Sequence, residues 1–195
     1  MKNYKLFLLI PILFFSSELI SQSIPINKKN LHTYFEEVWT KESNQSLNSI
    51  DAIVQTNDGY LWFGTNNGLY RYDGVHFTIY NVKNRPALQS NTINTLVEDH
   101  SGRLWIGTGK GLTSYKDGIF TNENKNSLLK DVSIYSLCVD DDNNLFLGTQ
   151  KDGLLKISKD KKVSCIAQVK GKESITYCYY HNHILWFGQN GTGLI

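Results

Sequence analysis

The stretch Ile50 to Gly68, IDAIVQTNDGYLWFGTNNG, decides the fold, because the chain writes it four times. The later copies are INTLVEDHSGRLWIGTGKG (Ile93 to Gly111), IYSLCVDDDNNLFLGTQKDG (Ile134 to Gly153) and ITYCYYHNHILWFGQNGTG (Ile175 to Gly193). Their aromatic anchors Trp62, Trp105, Phe146 and Trp186 are spaced 43, 41 and 40 residues apart, and Gly64, Gly107, Gly148 and Gly188 each follow two residues later. A match of type and spacing repeated four times is an internal repeat, and a period near 40 residues indicates stacked units.

Each unit reads as four short strands. In the first, Ile50 to Gln55 is closed by the turn Asn57-Asp58-Gly59, and Tyr60 to Thr65 is nearly all apolar, as in a strand buried on both faces. Asn67-Gly68 turns the chain into Leu69 to Tyr72, and Asp73-Gly74 makes a hairpin into Val75 to Tyr80. The second unit has Ser101-Gly102, Gly109-Lys110-Gly111 and Asp117-Gly118 at the same turns. With no helical period in the repeats, this is the pattern of a propeller blade. The expected fold is all-β: an incomplete β-propeller of about three and a half four-stranded antiparallel blades plus an N-terminal closing strand. Each Trp is expected to plug the seam between adjacent blades, and each glycine to let backbones approach closely. Stacking of the Trp rings on a ligand is the alternative.

The expected organisation is a signal peptide over 1–23, a lead-in over 24–49, blades over 50–92, 93–133 and 134–174, and a partial blade over 175–195. The signal peptide rests on Lys2 and Lys5, the apolar run Leu6 to Phe15, and Ser21-Gln22-Ser23. Ten apolar residues are too few to span a membrane, which needs about 20. The mature chain is therefore expected to be exported, to the periplasm or the outer face of the inner membrane, without a membrane span; an uncleaved anchor is the alternative. Tyr34 to Trp39 resembles a fourth strand lacking its first three, which in a closed ring would complete the last blade. The fourth unit is expected to hold two strands, with two absent, and the sequence is read as a truncated product or the N-terminal piece of a longer protein. Its open blade edges suggest self-association.

A net charge of +2, with basic residues scattered, gives no nucleic-acid footprint. Cys138, Cys165 and Cys178 are expected to be free, behaving as small apolar residues rather than as a disulfide framework. Asp140-Asp141-Asp142-Asn143-Asn144 has alternating oxygen ligands, but Leu145 and Lys151 stand where an EF-hand loop needs glycine and glutamate. It aligns with the turn Asn57-Asp58-Gly59 and is read as a turn. His181 and His183 could begin a metal site on one strand face, but they fall on a hairpin with no third ligand nearby. Asp99-x-x-Gly102-x-x-Trp105 resembles the Asp-box of sialidase-like propellers, yet no pair of carboxylates stands out for glycosidase chemistry. No catalytic or metal residue, and no cofactor, is therefore expected.

The segments DGYLWFGTNNGLYRYDG (Asp58 to Gly74), SGRLWIGTGKGL (Ser101 to Leu112), NNLFLGTQKDGL (Asn143 to Leu154) and ILWFGQNGTGL (Ile184 to Leu194) resemble the two-component regulator propeller repeats of Bacteroidetes-type hybrid sensors. The third and fourth copies depart from the pattern, with Phe146 for Trp and Gly188-Gln189 for Gly-Thr. The resemblance implies the extracellular sensor region of a two-component signal-transduction protein, with two seven-bladed propellers and a kinase or DNA-binding output beyond the membrane. It implies a sensor rather than an enzyme, whose cue is often an oligosaccharide. Ligand-binding residues are not identifiable by motif; Arg71, His76, Lys110 and Asp152 are expected in loops that could contribute. A truncated fragment without a function of its own, or a secreted propeller lyase, glycosidase or adhesion module, is the alternative.

Overall fold

The computed structural model describes residues 49–169, 173–191 and 193–195. The signal peptide and the closing strand at 34–39 lie outside the described residues. Blade 1 is a sheet of β1 (Ile50–Gln55), β2 (Leu61–Thr65), β3 (Gly68–Tyr72) and β4 (Phe77–Tyr80). Blade 2 holds β5 (Ile93–Glu98), β6 (Leu104–Thr108), β7 (Gly111–Lys116) and β8 (Ile119–Asn122). Blade 3 holds β9 (Ile134–Val139), β10 (Leu145–Thr149), β11 (Leu154–Ile157) and β12 (Val163–Ala167). Blade 4 holds β13 (Ile175–His181), β14 (Ile184–Gln189) and β15 (Gly193–Leu194). Every sheet runs antiparallel in sequence order. In blade 4 the third strand begins at Gly193 and Leu194, which pair with Gln189 and Gly188.

The chain is an all-β propeller of four blades. First strands of successive blades are neighbours, β1 beside β5, β5 beside β9 and β9 beside β13, so they stand innermost. The core is divided among the seams. Between blades 1 and 2 lie Trp62, Leu69, Tyr80, Ile93 and Ile106; between blades 2 and 3 lie Leu112, Ile134, Leu137, Leu147 and Leu155. Between blades 3 and 4 lie Cys138, Phe146, Leu154, Ile175 and Cys178. Each seam is closed by burying apolar surface of two neighbours, as in other repeat architectures.

Three of the four repeated glycines stand where a side chain would meet the next blade. A β-carbon on Gly64 would stand 2.9 Å from Ile93 Cγ2, and one on Gly148 would stand 2.8 Å from both Cγ2 and the backbone oxygen of Ile175. In each case the first isoleucine of the next blade rests on the glycine of the blade before. Opposite each glycine the ladder of the first two strands shifts register, at Ile50/Ala52, Ile93/Thr95, Gly148/Thr149 and Ile175/Tyr177. Gly188 alone among the four has nothing closer than 3.7 Å.

The threonine after that glycine also has a cause. The hydroxyls of Thr65, Thr108 and Thr149 donate to the carbonyls of Gly68, Gly111 and Gly153, at 2.9, 2.9 and 2.7 Å. They accept from the backbone N–H of Asn67, Lys110 and Asp152, pinning the turn between second and third strands. Gln189 replaces this threonine in blade 4 and donates to the Glu173 carboxylate instead.

Candidate functional site

The innermost strands wall a cavity of about 690 Å³. Its lining includes Asp51, Asn94, Tyr135 and Thr176, each one position after the first isoleucine of its blade, together with Tyr177 and Tyr179. Tyr179 pairs with Trp186 and Tyr177 with Gly188, the seam-facing positions that Val54 and Ala52 hold in blade 1. The framework residues of the repeat are constant, whereas this position carries Asp, Asn, Tyr and Thr in turn. Sequence reasoning passed over it. The signal that marks it is variation at a fixed offset inside an otherwise regular repeat.

One end of the cavity is set by the hairpins between first and second strands. Six residues before each of the first three anchors stand Thr56, Asp99 and Asp140. Asp99 accepts at 2.6 Å from the Ser101 hydroxyl, at 2.8 Å from the Ser101 N–H, and at 3.1 Å from the Arg103 N–H. Its other oxygen accepts at 2.8 Å from the Trp105 indole. Asp140 accepts from the Asp142 and Asn144 N–H groups and the Asn144 amide, and the Trp62 indole donates to Thr56 Oγ1 at 3.1 Å. These residues hold turns, which is the reading expected for Asp140 to Asn144. The resemblance of Asp99 to an Asp-box is therefore structural.

Burial pushes the Asp99 carboxyl up, but the hydrogen bonds from Ser101, Arg103 and Trp105 outweigh it and hold the group below the usual carboxylate range. A carboxyl that is more acidic folded than unfolded contributes stability above its unfolded pKa of about 3.9 and loses it as pH falls through the folded value. The melting temperature of Asp99→Asn should lie below that of the parent by a constant gap above about pH 5, and the gap should close as pH falls below the unfolded value and through the lower folded one. A gap unchanged down to pH 2 would contradict this account of Asp99.

The hairpins also join blade to blade. The Glu98 carboxylate accepts from the Asn57 N–H at 2.9 Å, and His100 donates its N–H to Asn143 Oδ1 at 3.0 Å. Asp141 Oδ2 accepts from the Tyr180 hydroxyl at 3.0 Å and lies 3.0 Å from His183 Nδ1. His181 ends β13, while His183 sits in the turn after it, where Asn182 and His183 have φ of 49° and 63°. The two histidines are thus placed on a hairpin, as expected of exposed turn residues; His183 is 86% exposed.

The four candidate loop residues are not brought together. Arg71 is not in a loop but on β3, its guanidinium 4.3 Å from the Tyr60 ring centroid and 3.4 Å from the Tyr115 hydroxyl. It is drawn there because three further aromatic rings, Trp62, Tyr80 and Tyr115, converge on that seam. His76 lies in the hairpin between third and fourth strands, whose Asp73 accepts from its N–H at 2.6 Å. Lys110 and Asp152 occupy turns between second and third strands, which an antiparallel order puts at the opposite end of the sheet. Of the cysteines, Cys138 and Cys178 are buried as expected, but Cys165 is exposed on the outer strand β12.

Of the anchors, Trp62 is fully buried against Tyr80 and Tyr115, with ring centroids 5.8 and 4.8 Å away. Trp105 and Phe146 pack in the next two seams, while Trp186 is 42% exposed. Packing between blades, not ligand stacking, is what the first three do.

The fold and its seams define a repeat-built β-propeller. The family model of the two component regulator propeller matches residues 44–67, 87–110 and 128–151, in agreement with the resemblance seen in the sequence. The fourth copy lies outside the matched residues. Two structures of the extracellular domain of BT4673 from B. thetaiotaomicron, described as a hybrid two component system and as a one component system, are similar. They are 22% and 20% identical, with TM-scores of 0.65 and 0.67, over 75% and 82% of this chain. This chain spans about a fifth of their length, 20% and 23%. Virginiamycin B lyase from Staphylococcus aureus is similar in fold, with 16% identity and a TM-score of 0.55, over 74% of this chain and 50% of that one. No curated protein sequence matches the chain.

Proposed function

We propose that this chain is part of the ligand-sensing propeller of a two-component signalling protein, acting outside the cytoplasm and responding to an oligosaccharide in the full-length protein. The observation that carries the reading is the composition of the axial cavity. Tyr135 offers a ring on which the C–H face of a sugar stacks, and Asp51, Asn94 and Thr176 offer acceptors and donors for its hydroxyls. The propeller shared with an extracellular domain of a hybrid two component system supports the signalling context. Binding is favoured over catalysis because the cavity brings together a ring face and single hydrogen-bonding groups, with the Glu98 carboxylate engaged by the Asn57 N–H.

The test is thermal denaturation of the chain with a panel of soluble oligosaccharides, each recovered afterwards and weighed by mass spectrometry. A ligand held at 100 times its Kd stabilises the bound state by about 2.7 kcal/mol. At least one member is expected to raise the melting temperature, to be recovered unchanged, and to lose its effect in Tyr135→Ala and Asn94→Ala. A sugar recovered cleaved would replace this reading with the enzyme, and a panel with no effect would remove the oligosaccharide.

A further inference from the structure

Two positions of the repeat face each other across every seam. The residue that pairs with the aromatic anchor shares its face and points toward the next blade: Val54 opposite Trp62, Val97 opposite Trp105, and Cys138 opposite Phe146. The residue three after the next blade's first isoleucine points back: Leu96, Leu137 and Cys178. Val54 and Leu96 belong to the first seam, and Val97 and Leu137 to the second. In the third seam both positions are cysteine, and both are buried in one cluster with Phe146 and Ile175.

Their strands, β9 and β13, are neighbours, and the two cysteines sit in one buried cluster across the seam. Cys178 Sγ also lies 3.8 Å from the Phe146 carbonyl oxygen, so its thiol is held in the seam. The hydrogen bond from Cys138 holds Cys178 below the usual thiol range and pushes Cys138 above it, with burial adding to the rise at Cys138. Both residues border the axial cavity, which gives a small oxidant a route to them. Cys165, exposed on β12, belongs to a different surface.

We propose that Cys138 and Cys178 form a disulfide that staples blade 3 to blade 4 when the chain meets a small-molecule disulfide such as oxidised glutathione. The Cys178 thiolate attacks one glutathione sulfur and releases the first glutathione, giving a mixed disulfide. Cys138 then gives up its proton and attacks the Cys178 sulfur, breaking the mixed disulfide and releasing the second glutathione. Two protein thiols are oxidised by two electrons, one glutathione disulfide is reduced to two thiols, and the two protons end on those thiols. A bridge here closes the chain between residues 40 positions apart and joins two units otherwise held by packing and hydrogen bonds, so the oxidised form resists unfolding.

The experiment uses the chain as it stands. It is reduced, exposed to glutathione disulfide, acid-quenched, then denatured in an alkylating reagent and digested after lysine. The three cysteines fall in separate peptides, because lysines stand at 130, 151, 162, 170 and 172. Alkylation at Cys165 alone, with the Cys138 and Cys178 peptides joined, is the expected result. A Cys165→Ser chain should form the same link. The double variant Cys138→Val/Cys178→Leu restores the aliphatic pair of the second seam and should fold; it should show none of the rise in melting temperature, about 5–10 °C, that oxidation gives the parent. Three alkylated cysteines after oxidation, or links made only through Cys165, would overturn the proposal.

Discussion

Replacing Gly148 by alanine is expected to cost the chain about 3 kcal/mol, while the same change at Gly188 leaves stability within about 0.5 kcal/mol. The two glycines occupy one position of the repeat, so neither strand propensity nor sequence context distinguishes them. At Gly148 the added β-carbon would meet the backbone oxygen and Cγ2 of Ile175 at 2.8 Å, with the Ser136 hydroxyl closer still. Backbone cannot rotate away, so blade 4 must lift from blade 3 and the seam holding Phe146, Leu154 and Ile175 opens. At Gly188 the added atom would be 3.7 Å from Tyr177 Cβ, an ordinary contact. Urea unfolding of the two variants beside the parent decides the matter. Equal losses at both sites would mean that the glycine serves the strand itself and not the approach of the next blade.

Trp62→Ala is expected to be the most damaging truncation of an anchor, at about 3–5 kcal/mol, a large part of the 5–15 kcal/mol that holds a domain folded. Trp62 is 0% exposed, fills the first seam against Tyr80 and Tyr115, and ends in a hydrogen bond to Thr56. Its removal leaves a cavity, strips the aromatic surroundings of Arg71, and frees a polar atom of the turn. Trp186→Ala should cost about 1 kcal/mol or less, because the ring is 42% exposed and its removal opens no enclosed space. Near-ultraviolet circular dichroism with thermal melting measures both. A Trp186→Ala chain as unstable as Trp62→Ala would show that the fourth anchor is buried in solution.

Much of the fold was legible because the repeat supplies its own control. Asn57-Asp58-Gly59 and Asp73-Gly74 name turns by their chemistry, and Gly59 and Gly74 take φ of 90° and 97° as such turns require. What failed was placement across strands. Arg71 reads as a polar residue near a turn, yet rings from two blades gather around it, one of them, Tyr115, 44 positions away. Residues Thr56, Asp99 and Asp140 share a role that their different side chains conceal. Tyr135 lines the cavity because its strand stands innermost, which no local pattern states.

The sequence by itself determined the strands, the turns between them, the forty-residue period and the glycine that each blade needs, since these follow from local backbone preference and from regular recurrence. Only the tertiary structure decided what faces what: which anchor is sealed and which stays open, that Ile175 rests on Gly148, and that Cys138 meets Cys178. Those are contacts between residues some 30–40 positions apart, made when two sheets close on a seam. Local sequence sets the shape of each sheet, but the partner across the seam is chosen by the packing of whole blades.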